Sequence, residues 1–164
     1  METGATILGP YRYNLWRVWD EALPKVTFIL LNPSTADATL DDPTVRRCVG
    51  FARAWGFGSL ELVNLFAYRA TRPRQLKTAP DPVGPANDDA ILRAVNSAQL
   101  VVVGWGNHGR LSGRDRAVLR LLPDSICCLG ATREGFPRHP LYLKQNTAPV
   151  PYLTGACRAM MKQE

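Results

Sequence analysis

The chain has 164 residues, enough for one domain with a substantial core and too few for two ordinary ones. Hydrophobic residues make up 46% and charged residues 21%, which excludes an intrinsically disordered chain. The longest apolar runs, FILL at 28–31 and LVVVGW at 100–105, fall short of the roughly 20 residues a membrane helix needs, and the net charge of +6 favours a polyanionic partner.

Residues 5–19 alternate large apolar and polar positions around Gly9-Pro10. This predicts an N-terminal β-hairpin or an added edge strand, with Tyr11, Tyr13 and Leu15 sharing one side. KVTFILL at 25–31 is apolar on both faces and predicts a central strand buried between helical layers. Asn32-Pro33 ends it, because proline cannot donate to a central ladder. Asp42 and Pro43 read as the N-cap and first residue of a helix over 43–55, where Val45, Cys48, Val49, Ala52 and Trp55 recur at helical spacing. A second strand is predicted over 59–66, followed by a long irregular loop to about residue 82. A helix over 85–98 turns Ala90, Ile91, Ala94 and Val95 inward. A third strand (99–104), a glycine-rich turn and a helix over about 113–122 follow, with Ala117, Val118, Leu121 and Leu122 inward. A fourth strand over 125–129 and a C-terminal helix over about 151–161 complete the chain.

This alternation predicts a single three-layer α/β/α domain over 1–164 with a four-stranded parallel sheet. Ligands of such sheets sit beyond the carboxyl ends of the strands. That rule gathers residues 32–34, 64–68, 105–108 and 133–139 along one rim.

On that rim, Asn32-Pro33-Ser34 reads either as a plain strand stop or as a stiffened turn presenting the Asn32 amide to a ligand or water. An amide holds a water but cannot take its proton, so Asn32 would position and polarise. Asp42 is most simply the helix cap, which leaves Asp37 as the candidate reactive carboxylate. His139, between prolines, has the chemistry to donate to a developing oxyanion, and His108 is a second candidate. Phe66, Tyr68 and Trp105 are packing groups or a stacking surface for a planar base, with Asn64 and Asn107 beside them. Arg69, Arg72 and Arg138 are candidate phosphate ligands. No GxGxxG, P-loop or GxSxG motif is present. The four cysteines form no CxxC, so free thiols in a reducing cytoplasm are expected, with no metal site. No secretory leader is expected from the first residues.

LNPSTADATLDDPTVRRC, NLFAYRATRP, GPANDDAIL and FPRHPLYL, in this order, resemble a widespread bacterial family of small proteins of unknown function, over about residues 11–150. That family in turn is similar, more distantly, to the uracil-DNA glycosylase superfamily. Asn32-Pro33 resembles its first motif, 64–73 its arginine-proline segment after the second strand, and His139-Pro140 its second motif, whose histidine stabilises the departing base. The resemblance implies a sheet of strand order 2-1-3-4 and a hydrolase of nucleobase N-glycosidic bonds acting on DNA or a nucleotide. A non-catalytic nucleotide or nucleic-acid binding module on the same fold is the alternative. Leu31 and Ser34 depart from the small residues of the first motif, and Leu141-Tyr142 replaces the usual segment after His-Pro. The cysteine ligands of a four-iron cluster have no counterpart, so no cofactor is expected. A monomer is favoured.

Overall fold

A seven-stranded sheet in the order β1-β2-β4-β3-β5-β6-β7 organises the computed structural model, which describes residues 1–152. Its strands are β1 (Glu2–Leu8), β2 (Tyr11–Val18), β3 (Lys25–Leu30), β4 (Ser59–Asn64), β5 (Leu100–Val103), β6 (Cys127–Cys128) and β7 (Val150–Pro151). The middle four, β4-β3-β5-β6, run parallel, in the expected order 2-1-3-4 counted among themselves. The sheet is nonetheless larger than four strands. The hairpin β1-β2 extends one edge through antiparallel pairing of β2 with β4, and β7 pairs antiparallel with β6 at the other. Residue 151 is therefore strand and Tyr152 is not helical, contrary to the helix expected over about 151–161, whose remainder from residue 153 lies outside the described residues.

Period-two side-chain alternation splits the core into two layers. On one face Ile29, Val63 and Val103 pack with Ile91, Ala94 and Val118 from α3 (Asn87–Asn96) and α4 (Arg114–Leu119). On the other, Phe28, Leu30, Leu62 and Val102 pack with Val45, Cys48, Phe51 and Ala52 of α1 (Pro43–Ala54). Each fully buried Phe or Leu contributes about 1.5–3 kcal/mol, which favours apolar residues at 26 and 28–30 of β3, while the buried Thr27 hydroxyl donates to the Ala94 carbonyl at 2.9 Å. Asp42 caps α1 by accepting from the Val45 N–H at 2.9 Å. The loop after β4 holds a short helix, α2 (Arg74–Thr78), anchored by Leu76. Ala90 is only half-buried, and Leu121 is exposed because α4 ends at Leu119. Among the described residues no helix is long and apolar enough to cross a membrane.

The hairpin also departs from simple alternation. Its register runs from Thr6↔Asn14 to Ile7↔Arg12, so Tyr13 is the extra residue of a β-bulge. Tyr13 and Leu15 consequently face opposite sides. The Tyr13 hydroxyl lies 3.5 Å from the Ala86 N–H beside α3, whereas Leu15 packs in the α1 layer. The bulge turns Arg12 into the α1 side, where it is 3% exposed.

Candidate functional site

Beyond the carboxyl ends of β3 and β5 lies a pocket of about 470 Å³. Asn32, Ser34, Asp42, Trp105, His108 and His139 line it together with Thr71, Asn107, Leu141 and Tyr142. Three chain segments close in to form it. The Pro33 carbonyl accepts from Ala70 N–H, which extends the β3–β4 pairing past the strand ends. Gly106 N–H donates to the Pro137 carbonyl and Arg138 N–H to that of Gly130, which draws the His139 loop against β5. Gly104 permits this approach: a Cβ there would lie 3.0 Å from the Arg138 carbonyl and 3.3 Å from the Pro140 ring.

The Asn32 amide is oriented by its surroundings. Its Nδ2 donates to the carbonyls of Pro33 (3.0 Å) and Ala70 (2.8 Å), so Oδ1 turns away from them as an acceptor. His139 Nδ1 accepts from the Leu141 N–H at 3.2 Å, at the start of a single 3₁₀ turn (Pro140–Tyr142). In the neutral imidazole the proton must then sit on Nε2. Burial lowers the His139 pKa, with the nearby Asp42 charge opposing, so the neutral form dominates at neutral pH. The pocket lining thus includes an amide whose oxygen remains an acceptor and an imidazole whose Nε2 remains a donor.

Beneath this pocket is a chamber of about 30 Å³, lined by Arg12, Pro33, Asn64 and Val45 and sharing Asn32, Ser34, Asp42, Thr44 and His139 with the pocket above. Arg12 Nη1 donates to the Ala36 carbonyl at 3.2 Å and Nη2 lies 3.5 Å from Asn64 Oδ1. On the other side of the ridge formed by Ser34, Thr35, Ala70 and Thr71 runs a groove of about 480 Å³, which includes Tyr68 and Arg69.

The expected residues therefore divide. Asn32, Ser34, Trp105, Asn107 and His139 meet in the pocket, and Pro33 and Asn64 form its lower chamber. Asp37 does not reach it. Its carboxylate accepts from the N–H groups of Leu40 and Thr39, which lower its pKa, and so it shapes its own loop. Phe66 is 1% exposed in the core on the α3 side and offers no stacking face. Tyr68 packs edge-on against Tyr11 and lines the groove. Trp105 is also 1% exposed, set edge-to-face with Tyr152. Asn107 accepts from the Thr132 hydroxyl at 2.7 Å. Arg69 is tied to the carbonyls of Ser34 and Thr35, and Arg138 to that of Ala131. Arg72 and Arg138 are exposed.

Sequence reasoning missed three residues. Asp42 is both helix cap and pocket wall, and its cap motif alone explained it. Arg12 looked like the polar half of an alternating hairpin. Tyr142, 88% exposed on the pocket rim, is the aromatic group best placed to meet a planar ligand, and its position directly after His139-Pro140-Leu141 was the available signal. Among the described residues no group of three or more His, Cys, Asp or Glu is placed to hold a metal ion.

No curated protein and no solved structure matches the chain. A family model does match, over residues 12–141, and so takes in nearly all of β2, the His139 loop and every lining residue of the pocket except Tyr142. By that match the chain belongs to the family described as "Protein of unknown function (DUF1643)".

Proposed function

We propose that this protein hydrolyses the N-glycosidic bond of a nucleobase, in DNA or in a nucleotide, on a uracil-DNA glycosylase-like fold. The observation that carries this reading is that Asn32, its Nδ2 already engaged, and His139, its Nδ1 already engaged, line one pocket. Breaking such a bond leaves negative charge on the departing base. A neutral imidazole fixed as a donor stabilises that charge without reorganising, in a site partly closed to water. Asn32 Oδ1 accepts from an N–H of the base or from water and so orients the reacting pair. The parallel strand order 2-1-3-4, with Asn32-Pro33 after the first of these strands and His139-Pro140 after the last, supports the same reading.

Arg69, Arg72 and Arg138 lie on segments bordering the pocket and are assigned to phosphates. The test is incubation with duplexes carrying uracil, hypoxanthine or mismatches, followed by cleavage of abasic sites. Abasic product from the wild-type protein, reduced on Asn32→Ala and on His139→Gln, is expected. Removing a positioned proton donor or acceptor costs roughly 10²- to 10⁴-fold. Salt-dependent DNA binding with no abasic product would replace the enzyme by a binding module on the same fold.

A further inference from the structure

The lower chamber contains an imbalance. Arg12 Nε is buried and has no hydrogen-bond partner, although both of its terminal nitrogens reach acceptors. Burial pushes the Arg12 pKa down to about 10, which still leaves it charged at neutral pH. An unpaired donor on a buried charge costs more than a neutral one, and folded chains rarely leave one. The β-bulge at Tyr13 is what turns Arg12 inward, and bulges beside sites commonly re-aim a side chain in this way.

Asp42 supplies the complementary vacancy. It is 8% exposed. Its Oδ1 is engaged by the Val45 N–H at 2.9 Å, whereas its Oδ2 receives only a long contact of 3.4 Å from Ala36 N–H. The two residues that carry this under-used acceptor and this orphaned donor line one space of about 30 Å³, room enough to seat a water molecule. The same space shares Asn32 and His139 with the pocket, which connects it to the substrate side.

We infer that this chamber seats the attacking water, held by the Arg12 Nε–H, and that Asp42 is the general base that activates it. The inference rests on the proposed N-glycosidic hydrolysis. In that step the water oxygen bonds to the sugar carbon while one water proton passes to Asp42 Oδ2. The carbon–nitrogen bond breaks, and its electron pair leaves with the base, whose developing charge meets the His139 Nε2–H. The base then takes up a proton from solvent, and Asp42 returns its proton to solvent. The products are the free base and a sugar hydroxyl.

Two measurements test this. A crystal structure of the wild-type protein is expected to hold a water within hydrogen-bond distance of both Arg12 Nε and Asp42 Oδ2; a dry chamber overturns the inference. Asp42→Asn is expected to lower kcat for base release from uracil-, hypoxanthine- or mismatch-bearing duplexes by about 100-fold or more, with KM little changed. Asn and Ser are N-caps as good as Asp, so Asp42→Asn and Asp42→Ser both keep the helix start, and thermal melts verify folding. Wild-type turnover in either folded variant overturns the role of Asp42 while leaving the proposed function standing. Absence of base release from the wild-type protein on every duplex and on free nucleotides is the distinct outcome that removes both.

Discussion

His139 accepts the Leu141 N–H through Nδ1 at 3.2 Å, and this one bond decides which nitrogen carries the proton in the neutral ring. It also makes protonation costly, since a protonated imidazole cannot accept there. Burial acts in the same direction and lowers the pKa below its ordinary value of 6.5, with Asp42 opposing. A lowered folded-state pKa means that, as pH falls through 6.5, the unfolded chain binds a proton that the folded chain does not. Stability should therefore decline as pH falls through the ordinary histidine range, and this contribution should be absent at pH well above it. Urea unfolding across that range is the measurement. His139→Gln should flatten the slope in this window, and an unchanged slope would mean that His139 is not held neutral.

Arg17 presents a different balance. It is 1% exposed and contacts Asp41 at 2.9 Å while donating to the carbonyls of Gly4, Trp16, Asp37, Ala38 and Leu40. Its partner Asp41 is 36% exposed and can turn to water. The carbonyls, not the ion pair, should then dominate. Arg17→Met should cost at least about 2 kcal/mol, because each buried acceptor left unsatisfied costs about 1–3 kcal/mol. Asp41→Asn should cost less than about 1 kcal/mol, as solvent-screened pairs do. Equal losses in denaturant titrations would contradict this ranking.

The middle of the fold was legible because β3, β4 and β5 carry apolar side chains on both faces, and because Asp42-Pro43 and the glycines after Trp55 mark helix ends by local chemistry. The sheet edges were not. Whether β2 joins β4 depends on pairings such as Leu15↔Leu62, 47 residues apart, and no local pattern encodes them. The bulge at Tyr13 was equally hidden, since it shifts side-chain parity by one residue within an otherwise regular run. At the site, strand-end topology found Asn32 and His139, whose place follows from β3 and from the loop after β6. It did not find Arg12, because a charged residue in an alternating hairpin reads as solvent-facing. Asp42 lines the pocket and Asp37 does not, a difference that sequence does not carry because a helix cap explains Asp42 completely.

Gly109 sets the position of the pocket tryptophan. A Cβ at residue 109 would lie 2.1 Å from Trp105 Cδ1 and 2.8 Å from its Nε1, so the indole must move. The backbone at Gly109 is not left-handed, and space alone forbids a side chain. Gly109→Ala should destabilise the fold by about 1–3 kcal/mol through overpacking. It should also shift the Trp105 indole N–H resonance and weaken ligand binding, because Trp105 lines the pocket. An unperturbed indole signal would show that the turn absorbs the methyl group elsewhere.

The arginine assignments separate by salt dependence. Arg72 and Arg138 are exposed, and neither is buried in the core, so replacing them should leave the pocket intact. Each phosphate contact contributes about 0.9 to the slope of log K against log salt on duplex DNA, and about 0.7 on a single strand. Arg72→Ala and Arg138→Ala should each lower that slope by about this amount, with little change in the melting temperature. Arg69→Ala should behave differently. Its guanidinium holds the carbonyls of Ser34 and Thr35, which form the ridge between pocket and groove. Its loss should therefore weaken binding even at high salt, where phosphate contacts contribute least. Fluorescence-anisotropy titrations with a labelled oligonucleotide at several salt concentrations would measure all three variants. Slopes equal to that of the wild-type protein for Arg72→Ala and Arg138→Ala would remove both residues from the phosphate-binding surface.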